Sequence, residues 1–521
     1  MANGRRSQCF TTLSTLVIGF SLVSASIAQQ APIAQNVPLP KVEGPIPVTS
    51  TSVIWGHSWN VDLTKVGYKE EEFFVSGHAN VYDHSPDKKV EIRTSNVPYT
   101  TRLLVRAPID PKRFSGNVIV EIINMSRGWD LDVMWQMEHE YILRNGDAYV
   151  GVTSKPNAVK ALKQFDSVRY ASLSWKNPLS LDNPQNCTKL SSLLPNDSSR
   201  ETENGLFWDI FSQVGALLKS EAPGRPLNKL AVKYIYAVGY SQSGMFLATY
   251  IDAIQPLALT HNKQIYDGYL VGAGPGTTPI NQCEPRANPR EDSTPISPRS
   301  VPVMKVMTNT DFLWSYKARR PDGDSPDDRY RLYEIAGSSH GYVYPGSFEP
   351  SVDDIKRAGF DNRYSYKCAP PRLGNDFPDH YFFAAALKNL DLWVRKDIPP
   401  PHGTPIDVVN ATEERQDPVV GTLDVTAKLD QYGNAVGGVR SPYLDVPTAT
   451  YYPDGINKTD QAECGMSKAP FDHAMLANLY PTHQDYVEKV DNDVDRLIKE
   501  RWLLKEDGDA IKAAAASADV P

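Results

Sequence analysis

The chain has 521 residues, 41% of them hydrophobic and 22% charged, with a formal net charge of −8. Such a composition belongs to globular proteins with an ordinary core, and roughly two to four domains would fit the length. An acidic balance with no basic block long enough to follow a phosphate backbone argues against a nucleic-acid partner.

The chain opens on Arg5 and Arg6, then an apolar run from Leu13 to Val23, then Ser26-Ile27-Ala28. Basic start, short apolar middle and small-x-small exit describe a secretory signal peptide over 1–28, cut after Ala28. That run is too short to span a bilayer and no later stretch is long enough, so no membrane span is expected. Cys9 precedes the apolar run instead of standing at the cleavage point, which argues against a lipid-modified cysteine. The expected address is extracellular or periplasmic. The cysteines beyond residue 28 are Cys187, Cys283, Cys368 and Cys464. In an oxidising compartment this even set implies two disulfides, with the pairing left open. None has C-x-x-C spacing or a neighbouring histidine cluster, so neither a metal nor a cofactor is expected. Asn186, Asn196, Asn410 and Asn457 lie in N-x-S/T sequons, which would carry glycans in a eukaryotic host.

Residues 29–50, rich in proline and polar groups, read as a loose leader, and 51–521 as a single catalytic domain with insertions. Tyr99–Ala107 and Asn117–Asn124 (NVIVEIIN) read as strands, the second buried on both faces. A loop follows over 125–130, then a helix through Trp135 to Leu143 and a strand over Asp147–Thr153. Strand–helix–strand at this spacing predicts a parallel sheet with crossover helices. The polar stretch from about 165 to 205 reads as a lid or binding insertion. A helix is expected over Leu206–Lys219, a strand over Leu230–Val238 and a helix over Gln242–Ile254. Further strands are expected at Tyr266–Val271, Val301–Met307 and Arg331–Ala336. A helix over 378–397 then precedes an extension over about 398–521, which ends in one helical stretch from Tyr486 to Ala516.

The chemistry centres on Gly239-Tyr240-Ser241-Gln242-Ser243-Gly244, between a strand and a helix. Strand–turn–helix with small residues around one serine is the setting of a nucleophile elbow. Ser241 departs from G-x-S-x-G only by Ser243 in place of the second glycine. Ser243 itself has Met245 at that offset, too bulky for the role. The serine needs a base and an acid, which follow it in the order Ser, acid, His in α/β-hydrolases. Asp311 stands just past the strand ending at Met307, and His340 past the strand ending at Ala336, where open α/β sheets gather functional groups. Oxyanion donors are expected from the backbone N–H of Gln242 and of Met125 or Ser126. Tyr240 and Trp129 are candidates for a substrate-binding wall.

GYSQSG, TNTD, AGSSH and the block DQYGNAVGGVRSPYLDVP at 430–447 together resemble a broad family of secreted α/β-hydrolase-domain proteins. VEIINMSRGWD, DAYVGVTSKPNAVKALKQFDSVRY and FAAALKNLDLWVRKDIPPP resemble the same family, so the likeness runs from about 45 to 515. The resemblance implies an α/β-hydrolase fold and carboxylic ester hydrolysis, with the family's serine, acid and histidine falling on Ser241, Asp311 and His340. Many members have a glutamate where this chain has Asn309, which leaves Asp311 as the acid of TNTD. The expected activity is a secreted serine esterase acting on small-molecule or polymeric esters; an acyltransferase with the same residues, or an inert binding protein on the fold, are the alternatives. The 430–447 block holds no evident catalytic group and is expected to be a structural loop.

Overall fold

The structure is a computed structural model that describes residues 35–57, 61–187, 199–283, 294–341, 350–361, 372–413, 424–453 and 466–521. The proposed signal peptide, Cys368, Cys464, Asn196 and Asn457 lie outside these residues.

A ten-stranded sheet runs through the molecule. Its strands are β1 (Lys41–Glu43), β2 (Tyr68–His84), β3 (Val90–Pro108), β4 (Asn117–Ile122), β5 (Ala148–Val152), β6 (Tyr234–Tyr240), β7 (Gly268–Gly272), β8 (Val303–Thr308), β9 (Gly323–Ser325) and β10 (Asp328–Ile335). They lie in the order β9-β10-β8-β7-β6-β4-β5-β3-β2-β1. From β5 to β10 by way of β4, β6, β7 and β8 all neighbours are parallel. The remaining strands, at the two ends, are antiparallel. The fold is therefore the expected α/β class, a mostly parallel sheet with helices on it.

The parallel strands read as continuous apolar runs because helices cover both faces. In β6 the alternation sorts its side chains: Ile235 and Ala237 join one core, Tyr236, Val238 and Tyr240 the other. The first core receives α3 (Phe207–Lys219) through Phe207, Phe211 and Val214. The second receives α1 (Val133–Asn145) and α6 (Asp379–Lys396) through Met134, Phe383 and Leu387.

Several boundaries differ from expectation, each for a physical reason. The leader is not loose throughout: Lys41–Glu43 pairs with β2, satisfying an edge that would otherwise stand open. The hairpin of β2 and β3 spans 17 and 19 residues, far more than Tyr99–Ala107 suggested. Its inner positions carry Glu70, Glu72, Arg102 and Arg106, which break the apolar signature, yet all four are buried. The C-terminal stretch is two helices, α7 (His483–Lys499) and α8 (Lys505–Ala516), broken where Arg501 takes a positive φ of 68°. Gly508 packs its backbone against Val494 and Ile498, so the two helices lie against each other. Among the described residues no helix is long and apolar enough to cross a membrane.

Asn186, expected as a glycan acceptor, is buried, and its Nδ2 donates to the carbonyls of Leu179, Ser180 and Arg200. The nitrogen that would carry a sugar is committed to the fold.

Candidate active site

The carboxyl ends of β6, β8 and β10 bring three side chains together. Ser241 follows β6 at φ 58° and ψ −122°, a conformation that costs a non-glycine residue backbone strain and lifts its hydroxyl out of the turn. Two glycines make room for it. A Cβ at Gly239 would stand 2.6 Å from the Ser243 carbonyl oxygen, and one at Gly244 would collide with that of Gly272. Ser243 is tolerated in place of the usual glycine because its hydroxyl folds back, donating to Tyr240 O at 2.9 Å and accepting from Tyr240 N–H at 3.0 Å. It is buried and faces its own turn.

Ser241 Oγ lies 2.8 Å from His340 Nε2, and His340 Nδ1 lies 2.7 Å from Asp311 Oδ1. The His340 side chain is 22% exposed and that of Asp311 0%, so the first can meet a substrate while the second is sealed behind it. Asp311 sits in the first turn of α5 (Asn309–Ser315), where Thr308 caps the helix through the Asp311 N–H and donates its hydroxyl to Asp311 Oδ2. Burial pulls the His340 pKa down, but the charge and hydrogen bond of Asp311 outweigh it and leave it raised above the ordinary histidine value. An imidazole held this way is a stronger base than a free one.

The histidine loop is fastened from several sides. Thr310 Oγ1 accepts from His340 N–H at 3.1 Å and donates to Pro453 O at 2.5 Å. Asn309 Oδ1 accepts from Gly337 N–H at 3.1 Å, so this side chain holds the loop's backbone rather than the ring. Tyr240 OH donates to His340 O at 3.0 Å with the two rings 5.5 Å apart. Tyr240 is therefore buried as a brace for the histidine. The 430–447 block extends the edge of β10: Val439 N–H donates to Glu334 O and accepts at its carbonyl from Ala336 N–H.

The oxyanion expectation needs one correction. Ser126 N–H is taken by Asn124 Oδ1 at 2.7 Å and cannot also meet a substrate oxygen. Met125 and Gln242 N–H have no acceptor among the described residues, and Gln242 opens a helix, where the dipole favours negative charge. Asn124 also donates Nδ2 to Tyr240 O at 2.8 Å, tying the loop after β4 to the elbow after β6. The sequence reading named no role for it; a polar amide closing a buried apolar strand was the available signal. Trp129 is 3% exposed and packs edge-on against Phe360 at 5.0 Å, so it belongs to the wall behind the loop rather than to an open surface. Two further acids on or beside the sheet strands, Glu334 and Asp267, are paired with Arg319 and Lys219. Among the described residues no group of three His, Cys, Asp or Glu side chains is placed to hold a metal ion.

A family model described as an alpha/beta hydrolase domain matches residues 42–513. Curated proteins give no match. Solved structures with similarity include a glucuronoyl esterase from Solibacter usitatus, 9% identical, covering 59% of this chain and 84% of that one at a TM-score of 0.28. An S-formylglutathione hydrolase from Agrobacterium tumefaciens is 11% identical, covering 52% and 87% at 0.26. An alpha-beta serine hydrolase homologue from Coxiella burnetii is 9% identical, covering 50% and 88% at 0.24.

Proposed function

Because this chain belongs to the alpha/beta hydrolase domain family, we propose that it is a serine hydrolase cleaving carboxylic esters through an acyl-enzyme. The observation that carries the reading is the chain of contacts Ser241 Oγ–His340 Nε2–Asp311 Oδ1, at 2.8 and 2.7 Å, on a strained turn. Ser241 Oγ attacks the ester carbonyl while its proton passes to His340 Nε2. The negative charge that develops on the carbonyl oxygen is met by the N–H groups of Gln242 and Met125. Collapse breaks the bond to the alcohol, which takes the proton from His340. Water, deprotonated by the same histidine, then attacks the acyl-serine and returns Ser241 free. Asp311 keeps the imidazole in the tautomer with its proton on Nδ1 and stabilises the imidazolium. Export fits the same reading, supported by the basic–apolar–small start of the chain and by a disulfide between Cys187 and Cys283.

The test is Ser241→Ala beside Ser243→Ala, assayed on p-nitrophenyl esters of graded chain length. Ser241→Ala abolishes hydrolysis with the fold retained; Ser243→Ala keeps substantial activity, because its hydroxyl serves only the turn. Fluorophosphonate labels Ser241. An active Ser241→Ala protein, or a label on another residue, defeats the assignment.

A further inference from the structure

A cleft of about 1190 Å³ lies between α2 (Pro156–Phe165) and the segments 173–181 and 199–202. Lys160, Lys163 and Lys176 line it, and none of the three has an ion-pair partner among the described residues. Arg200 adds a fourth cation, its guanidinium held by the carbonyls of Leu181, Asn186 and Cys187. Among the described residues Glu201 is the one carboxylate of the lining. Trp175 also lines the cleft: it is 2% exposed, and its indole N–H has no acceptor.

The sign of this surface opposes that of the molecule. A chain of net charge −8 presents here, among the described residues, four cations against one acid, in a concave place that concentrates the field. Leu179, Leu181 and Phe360 supply apolar walls for a hydrocarbon stem. One edge of the cleft is Gly128, which donates its N–H to Met125 O at 2.8 Å. One loop, 125–130, thus borders both the cleft and the N–H group assigned to the oxyanion.

We propose that this cleft binds a carboxylate carried by the substrate, so that the preferred esters are those whose acyl chain ends in an acid. The proposal rests on the ester-hydrolysis reading for its substrate class but not for the binding itself. The lysines sit at the rim and act through partly screened charge, so the preference weakens as salt rises.

The experiment compares p-nitrophenyl esters of straight-chain acids with their ω-carboxy counterparts, from hexanoate against hydrogen adipate up to dodecanoate against hydrogen dodecanedioate. The readout is the ratio of kcat/KM within each pair, which a general loss of folded enzyme does not move. The ω-carboxy ester is favoured about tenfold at low salt for at least one chain length. The ratio falls toward one in a Lys160→Met, Lys163→Met, Lys176→Met triple variant. A ratio of one at every length, or a preference that survives the triple variant, overturns the proposal. In parallel, dodecanedioate is titrated calorimetrically into the Ser241→Ala protein with and without the lysine changes. If the native protein cleaves no ester yet Ser241→Ala binds dodecanedioate through the lysines, the hydrolysis reading fails and the cleft stands; no cleavage and no binding overturns both.

Discussion

Ser241 is held at a positive φ by the close approach of Gly239 and Gly244 to neighbouring backbone, and its hydroxyl is met by a histidine that Asp311 holds from behind. In the proposed mechanism the base works only when His340 is neutral. Since Asp311 raises the His340 pKa, kcat/KM rises with pH through a midpoint above the ordinary histidine value of about 6.5. Asp311→Asn removes the charge that produces the shift, so the midpoint falls. It also offers the imidazole an amide that can fix the wrong tautomer, and turnover drops by at least about a hundredfold at neutral pH. Asn309→Ala is far milder, because Asn309 holds the Gly337 backbone and not the ring. Near-native turnover in Asp311→Asn would place the acid elsewhere.

Among the elements, the hairpin of β2 and β3 does most to place the loop after β4. Arg102 pairs with Glu72 at 2.5 Å and with Asp130 at 3.2 Å, and Arg106 with Glu70 at 2.7 Å and Asp132 at 2.5 Å. Arg169 closes the set on Glu72 at 2.6 Å. Asp130 and Asp132 flank the end of the loop that carries Met125 and Gly128, so buried charge on the hairpin holds that loop in place. Removing one partner leaves the others buried and uncompensated. Arg102→Met therefore lowers the unfolding free energy by about 3–5 kcal/mol, measured by urea denaturation. A loss within about 0.5 kcal/mol, the range of an ordinary surface substitution, would show that water or relaxation replaces the pairing. This hairpin was also the least legible element. A strand whose inward positions are glutamate and arginine has no apolar alternation, and only the facing charges in space explain why it is buried.

For the molecule as a whole, the disulfide joins the cleft-lining insertion to the segment after β7, its cysteines 96 positions apart in the chain. Replacing Cys187 and Cys283 with alanine costs about 2–4 kcal/mol, read as a shift in the denaturation midpoint against the oxidised protein. A midpoint unchanged by the replacement would mean the bridge is not formed. The parallel strands, the strand–turn–helix around Ser241 and the three residues whose side chains meet there, Ser241, Asp311 and His340, were legible in the sequence. Each rests on local chemistry: apolar runs of strand length, small residues where backbones crowd, and polar residues just past strand ends. What only the tertiary structure decided was which groups face each other. Asn124 links two loops 116 residues apart in the chain, consumes the Ser126 N–H and leaves that of Met125. Trp129 turns inward, Asn186 is buried, and lysines 160, 163 and 176 line one cleft. Such outcomes depend on how distant segments pack, and a linear pattern carries no term for contacts between residues far apart in the chain.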